Sequence, residues 1–175
     1  LMVYSQQLAA RVRERLEENA PGIFNVELAM TYGEPSIAGA IDRLQRANAW
    51  RLLVLPLYPQ YSGTTTASVF DVVTRKLQAM RWVPETRFIN QYHDEPGYIG
   101  ALVASIREHW EEHGRGSHLL FSFHGVPQYT LDKGDPYHCH CRKTGRLVAE
   151  ALELKEDEWT LSFQSRVGRG NGCGR

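Results

Sequence analysis

The stretch Leu119 to Pro127, L-L-F-S-F-H-G-V-P, joins an almost unbroken apolar run to a histidine, a glycine and a proline. A strand that is apolar at nearly every position suits a parallel sheet covered on both faces, and glycine followed by proline ends it abruptly. His118 to Phe123 therefore reads as a buried strand, with His124 pinned at its carboxyl end. A neutral imidazole there can ligate a divalent metal or accept a proton near pH 7 without a large adjustment of its pKa. The competing reading is a histidine satisfied by nearby backbone, and position alone leaves both open.

Outward from this strand, apolar periodicity alternates between helix and strand. It predicts a helix near Ser5 to Asn19 through Leu8, Ala9, Val12 and Leu16, a strand near Phe24 to Met30, a helix from Ser36 to Asn48 and a strand from Arg51 to Leu55. Val69, Val72, Val73, Leu77 and Met80 mark a third helix, Thr86 to Ile89 a short strand, and Ile99, Leu102, Val103, Ile106 and Trp110 a fourth helix. A last helix near Pro136 to Leu154 precedes a strand from Trp159 to Phe163. Strands joined through helices are parallel, so the expected class is α/β, an open sheet covered on both faces, with ligands at the strand carboxyl ends. The weakest joint is Pro84 to Pro96, which divides the chain into residues 1–88 and 89–175.

The totals exclude several classes. A chain of 175 residues with 42% hydrophobic content can bury a core, and 20 basic side chains balance 20 acidic ones, so net charge gathers neither nucleic acid nor anionic lipid. No apolar run approaches the roughly 20 residues that span a bilayer, and no signal peptide is evident, which makes the cytoplasm the expected compartment. The three cysteines are an odd number, and Cys139 and Cys141 are two apart, so reduced thiols are expected rather than a disulfide framework. The chain begins with Leu1 and opens directly into a helical pattern, so its natural beginning is expected to lie upstream.

Three further stretches carry chemistry, two at strand ends and one at a helix start. After Arg51 to Leu55 comes P-L-Y-P-Q-Y-S-G-T-T-T, where two prolines stop the sheet and Ser62, Thr64, Thr65 and Thr66 can cap a helix beginning near Thr65. Free N–H groups at that helix start suit a carboxylate or phosphate, and Tyr58 and Tyr61 supply flat walls; an ordinary capped turn is the equal alternative. No G-x-G-x-x-G or G-K-[ST] loop is present, so nucleotide binding has no signature here. In G-D-P-Y-H-C-H-C-R-K-T, Asp135 and Pro136 read as N-cap and first helical residue. His138, Cys139, His140 and Cys141 are dense in metal-ligating atoms, but neighbours two apart on a helix diverge and no second C-x-x-C accompanies them, so a dedicated zinc or iron–sulfur site is not expected. Finally, F-Q-S-R-V-G-R puts Gln164, Ser165 and Arg166 at a third carboxyl end, where Arg166 is either a carboxylate clamp or a structural brace.

Taken in order, L-P-L-Y-P-Q-Y-S-x-T-T-T, F-S-F-H-G-V-P, G-D-P-Y-x-x-x-C-x-x-T and F-Q-S-R-x-G resemble the bacterial ferrochelatases of haem biosynthesis, with M-T-Y-G-E-P-S-I at Met30 to Ile37 adding to the likeness. The resemblance runs from about Tyr4 to Gly168. It implies two Rossmann-like lobes with parallel sheets flanked by helices, holding a porphyrin between them, and insertion of ferrous iron (Fe2+) into free-base protoporphyrin or coproporphyrin. It implies no cofactor: iron is substrate, nucleic acid is not a partner, and membrane association is at most peripheral. On this resemblance His124 is the active-site histidine, as metal ligand or acceptor of pyrrole protons, the second being preferred. Tyr58, Tyr61, Ser62, Thr64 and Phe70 border the porphyrin, with Phe70 where some relatives carry tyrosine.

The family also has a first strand and a porphyrin-contacting segment ahead of this starting point, and a glutamate opposite the histidine beyond F-Q-S-R-x-G. Neither falls within the 175 residues, so the resemblance implies an internal fragment, inactive alone. The end of the chain, G-N-G-C-G-R from Gly170 to Arg175, can be encoded so that a shifted frame reads K-W-V-R-P, close to the family's continuation, and a one-base slip is an expectation here. The rival readings are a cobalt or other tetrapyrrole chelatase and a non-catalytic metal-binding module built on His138, Cys139, His140 and Cys141.

Overall fold

A computed structural model describes residues 2–165; Arg166 and the glycine-rich end from Gly168 to Arg175, with the frame-slip expectation attached to it, lie outside the described residues. The architecture is α/β, with parallel strands flanked by helices, as the alternation predicts. The chain forms two compact units, one of residues 1–55 and 67–89, the other of residues 56–66 and 90–175.

In the first unit, helix α1 (Met2–Asn19) is followed by α2 (Ile37–Arg46), strand β1 (Arg51–Val54), α3 (Thr66–Gln78) and β2 (Glu85–Phe88). Ser36 starts α2 by accepting a hydrogen bond from the Gly39 N–H at 3.3 Å. β1 and β2 pair in parallel from Arg51 opposite Glu85 to Val54 opposite Phe88. The periodic residues of α2 and α3, Ile37, Ile41, Val69, Val73 and Leu77, close over Leu52, Val54 and Phe88 to form the core. Of the face expected on α1, Leu8 and Val12 are exposed, and α1 has no buried residue.

Two expectations fail here. Phe24 to Ala29 is not a strand: only Met30 forms a single bridge, to Ser36. A strand needs a ladder partner, and this segment is instead tethered by side chains, with Arg13 donating to the Val26 carbonyl at 2.8 Å and Arg43 to the Glu27 carboxylate at 2.7 Å. The sheet is also not covered on both faces. Each unit has a two-stranded sheet among the described residues, and Leu53 (62% exposed) and Leu120 (60%) point away from the helices that cover the other face.

The second unit contains α4 (Pro96–His113), β3 (Leu119–His124), α5 (Gln128–Asp132), α6 (Tyr137–Ala151) and β4 (Trp159–Gln164), together with the 56–66 loop. β3 and β4 are parallel and in register from Leu119 opposite Trp159 to His124 opposite Gln164. Ile99 and Val103 of α4 meet Val148 of α6 and Leu152, the residue that ends that helix, above Leu119 and Phe121. The short helix α5 had no periodic signal, because five residues are too few to show one.

Candidate active site

His124 is the last residue of β3, as its sequence position implies, and its side chain reaches solvent. The ring Nδ1 lies 2.8 Å from the Gly125 carbonyl oxygen. A carbonyl can only accept, so in a neutral ring the proton sits on Nδ1 and the lone pair on Nε2. One ring nitrogen is thus satisfied by backbone, and a metal or proton would be taken at the other.

The strand end itself is held by a close approach of two backbones. Gly125 N–H donates to the Gln164 carbonyl at 2.6 Å, and a Cβ at Gly125 would meet the Ser165 oxygen at 2.7 Å. Burial pushes the pKa of the Tyr137 hydroxyl above the usual range, with the Cys141 thiol a second cause. Phe163 of β4 stacks on the His138 ring at 4.9 Å.

The loop after β1 belongs with the same unit as His124. Tyr58 and Thr64 are exposed and Tyr61 is half-buried, whereas Ser62 is 1% exposed with its hydroxyl turned inward. Ser62 Oγ donates to Asp135 Oδ2 at 3.0 Å, and the Gly63 N–H donates to the same oxygen at 2.7 Å. The Tyr61 N–H donates to His140 Nδ1 at 3.2 Å, Gln60 Nε2 to Thr144 Oγ1 at 3.1 Å, and the Tyr92 N–H to the Pro59 carbonyl at 3.0 Å. The helix after the loop starts at Thr66, whose buried Oγ1 has no hydrogen-bond partner among the described residues. Phe70, on the first unit, is exposed and packs on Phe88 at a centroid distance of 4.8 Å.

The metal-ligating side chains at the start of α6 diverge. Cys139 is exposed, whereas Cys141 is fully buried and its thiol is pushed up to about 12 by desolvation. His140 is buried, stacked on His93 at 3.7 Å, and burial, then His93, holds its pKa below the ordinary histidine value. His93 is likewise lowered, chiefly by burial, despite Asp94 beside it. His138 is lowered by burial and by Arg142.

Asp135 does act at a helix start: its Oδ1 accepts from the Tyr137 N–H at 3.0 Å, although the first helical residue is Tyr137 rather than Pro136. Its second role, and those of Gln60, His140 and Thr144 beside the loop, went unseen in the sequence. The only available signal was the placement of Asp135 in G-D-P-Y, which marks a helix start and says nothing of a partner 73 residues away.

A family model described as Ferrochelatase matches residues 1–171. A ferrochelatase from Thioalkalivibrio sulfidiphilus is 56% identical over 169 residues, covering 97% of this chain and 46% of the relative. One from Nitrosococcus oceani is 51% identical with the same coverage, and one from an Azoarcus species is 56% identical over 144 residues, 82% of this chain and 40% of its own length. The chain therefore spans less than half the length of these relatives. A match that runs nearly end to end, through the His124 strand and both loops built around it, is more than shared architecture, and the chain belongs to the ferrochelatase family.

Proposed function

We propose that this chain supplies the histidine side of a site that inserts ferrous iron into a free-base porphyrin, protoporphyrin or coproporphyrin, to make haem. The observation that carries it is the hydrogen bond from His124 Nδ1 to Gly125, which leaves Nε2 as the other ring nitrogen of an exposed histidine at a strand end. The reaction removes two pyrrole protons as one Fe2+ enters, giving the iron porphyrin and two H+. His124 Nε2 accepts these protons one at a time and returns each to solvent, a task suited to an imidazole near neutral pH. An equivalent lone pair can guide the metal; proton acceptance is preferred because a planar macrocycle holds its protons until a base takes them.

Tyr58, Tyr61 and Thr64 border the porphyrin in this reading, with the Thr64 hydroxyl held 3.1 Å from Ser62 Oγ. Phe70 is assigned a porphyrin contact on the resemblance. Ser62 supports the loop from inside. A macrocycle must bend to expose its lone pairs, and a loop stiffened by Pro56 and Pro59 can impose that bend through binding energy. Iron is substrate and no resident cofactor is required. No helix among the described residues is long and apolar enough to cross a membrane, and a cytoplasmic site with at most peripheral membrane contact is part of the proposal.

The test is His124→Ala in the full natural polypeptide. Porphyrin titration should still shift the Soret band, while metallation falls by at least about a hundredfold, the scale of a positioned general base. A variant that metallates at the wild-type rate refutes the assignment.

A further inference from the structure

We propose that Asp135 is a positioning residue that sets the porphyrin-facing loop against the His124 strand end; the inference rests on the porphyrin reading above and deepens it. The carboxylate is bonded on both oxygens. Oδ1 accepts from the Tyr137 N–H at 3.0 Å and so belongs to α6, while Oδ2 accepts from the Gly63 N–H at 2.7 Å and the Ser62 hydroxyl at 3.0 Å and so belongs to the loop. One side chain thus ties the two together.

Asp135 is itself held in place. Its N–H donates to the Thr130 carbonyl at 3.0 Å, and Gly134, with a φ of 89° that favours glycine, turns the chain out of α5 to present it. Thr130 in turn donates its N–H and its hydroxyl to the Pro127 carbonyl at 3.0 and 2.7 Å, in the turn that follows His124. The path from that turn to Gly63 therefore runs through hydrogen-bonded turns rather than through a flexible connection. The carboxylate takes charge-assisted bonds, which are shorter and about twice as strong as neutral ones, and their geometry fixes the loop more tightly than packing would.

Two other bonds point the same way. The Tyr61 N–H donates to His140 Nδ1 and Gln60 Nε2 to Thr144 Oγ1, both acceptors on the same helix. The loop follows β1 in sequence yet is fastened along one side of α6, and Tyr58 and Thr64 remain exposed on either side of the fastened residues. Among the described residues Asp135 is the one carboxylate in these loop-fastening bonds, and its loss is the cleanest perturbation.

Asp135→Asn is the variant of choice. An asparagine has one acceptor oxygen, can still accept the Tyr137 N–H, and turns an N–H2 toward the Gly63 N–H, which cannot accept it. In the full natural polypeptide, amide exchange at Gly63 and Thr64 should rise about tenfold or more, while the amides of β3 keep their protection. Porphyrin binding, read by the Soret shift, should weaken about tenfold or more, and the porphyrin KM should rise more than kcat falls. Ser62→Ala should produce part of the same loss, and the double variant should be less than additive, because both act through one clasp.

Exchange that rises with porphyrin affinity unchanged overturns the positioning role and leaves the porphyrin reading intact. Unchanged exchange overturns it as well. A wild-type protein that shows no porphyrin binding removes the functional reading and this proposal together.

Discussion

Gly125→Ala concentrates the structural argument on one methyl group. The φ of Gly125 is not in the left-handed region, so alanine costs nothing in backbone conformation there. The cost is steric. A Cβ would sit 2.7 Å from the Ser165 oxygen and 3.1 Å from the Gln164 oxygen, both backbone atoms with no side-chain rotation to relieve them. Overpacking of this kind costs about 1–3 kcal/mol, and stretching the 2.6 Å bond from Gly125 N–H to Gln164 adds about 1 kcal/mol. The expected loss is about 2–4 kcal/mol, which lowers the thermal midpoint of a domain of this size by roughly 5–15 °C. Separating the strand ends by even half an ångström also moves His124, and a misplacement of about 1 Å can cost roughly a hundredfold in rate. Circular dichroism melts and an iron-insertion assay read the two effects. Gly116→Ala is the control, since its Cβ would meet only the His118 oxygen at 3.9 Å. A Gly125→Ala protein that melts and metallates like the wild type would show that the two backbones do not meet as described.

Two further outcomes follow from buried groups. His93, His138 and His140 all have folded pKa values below the ordinary value of about 6.5, with burial the first cause, so below that pH the unfolded chain binds more protons than the folded one. Stability is therefore retained above about pH 6.5 and declines as the pH falls toward the lower folded values; a midpoint that stays flat or rises between pH 7 and 5 contradicts the burial of this cluster. A thiol reagent at pH 7, followed by peptide mass spectrometry, should modify exposed Cys139 rapidly and leave Cys141 untouched until the protein unfolds, because Cys141 is fully buried with its thiol pushed up to about 12.

The elements that were legible are those whose burial leaves a periodic mark. Ile37 and Ile41 on α2, Val69, Val73 and Leu77 on α3, and Val148 and Leu152 on α6 are core residues in the structure and apolar at helical spacing in the sequence. His124 was legible because glycine and proline end its strand. Phe24 to Met30 misled because apolar content without a ladder partner does not make a strand, and α1 misled in part because Leu8 and Val12 form a stripe that the described residues leave exposed. The clasp was illegible for a different reason. A hydrogen bond between Ser62 and Asp135 leaves no pattern at either end: serine in a hydroxyl-rich turn and aspartate before a helix are each sufficiently explained by local rules.

The hydroxyl-rich loop shows how such local explanations mislead about function. Four hydroxyls within five residues read as a surface for an anionic ligand, yet Ser62 is turned inward against Asp135, Thr65 donates back to the Ser62 carbonyl at 3.4 Å, and Thr66 is buried. Thr64 alone of the four is exposed, beside the exposed Tyr58. A loop must be rigid to hold a large planar ligand in a bent form, and rigidity in an irregular segment requires that most of its polar groups be spent on the protein. Dense hydroxyls at a strand end therefore indicate a fastened loop as much as a ligand surface. At this site the residue that makes the difference is not a hydroxyl but the carboxylate of Asp135, which holds the loop on one oxygen and the start of α6 on the other.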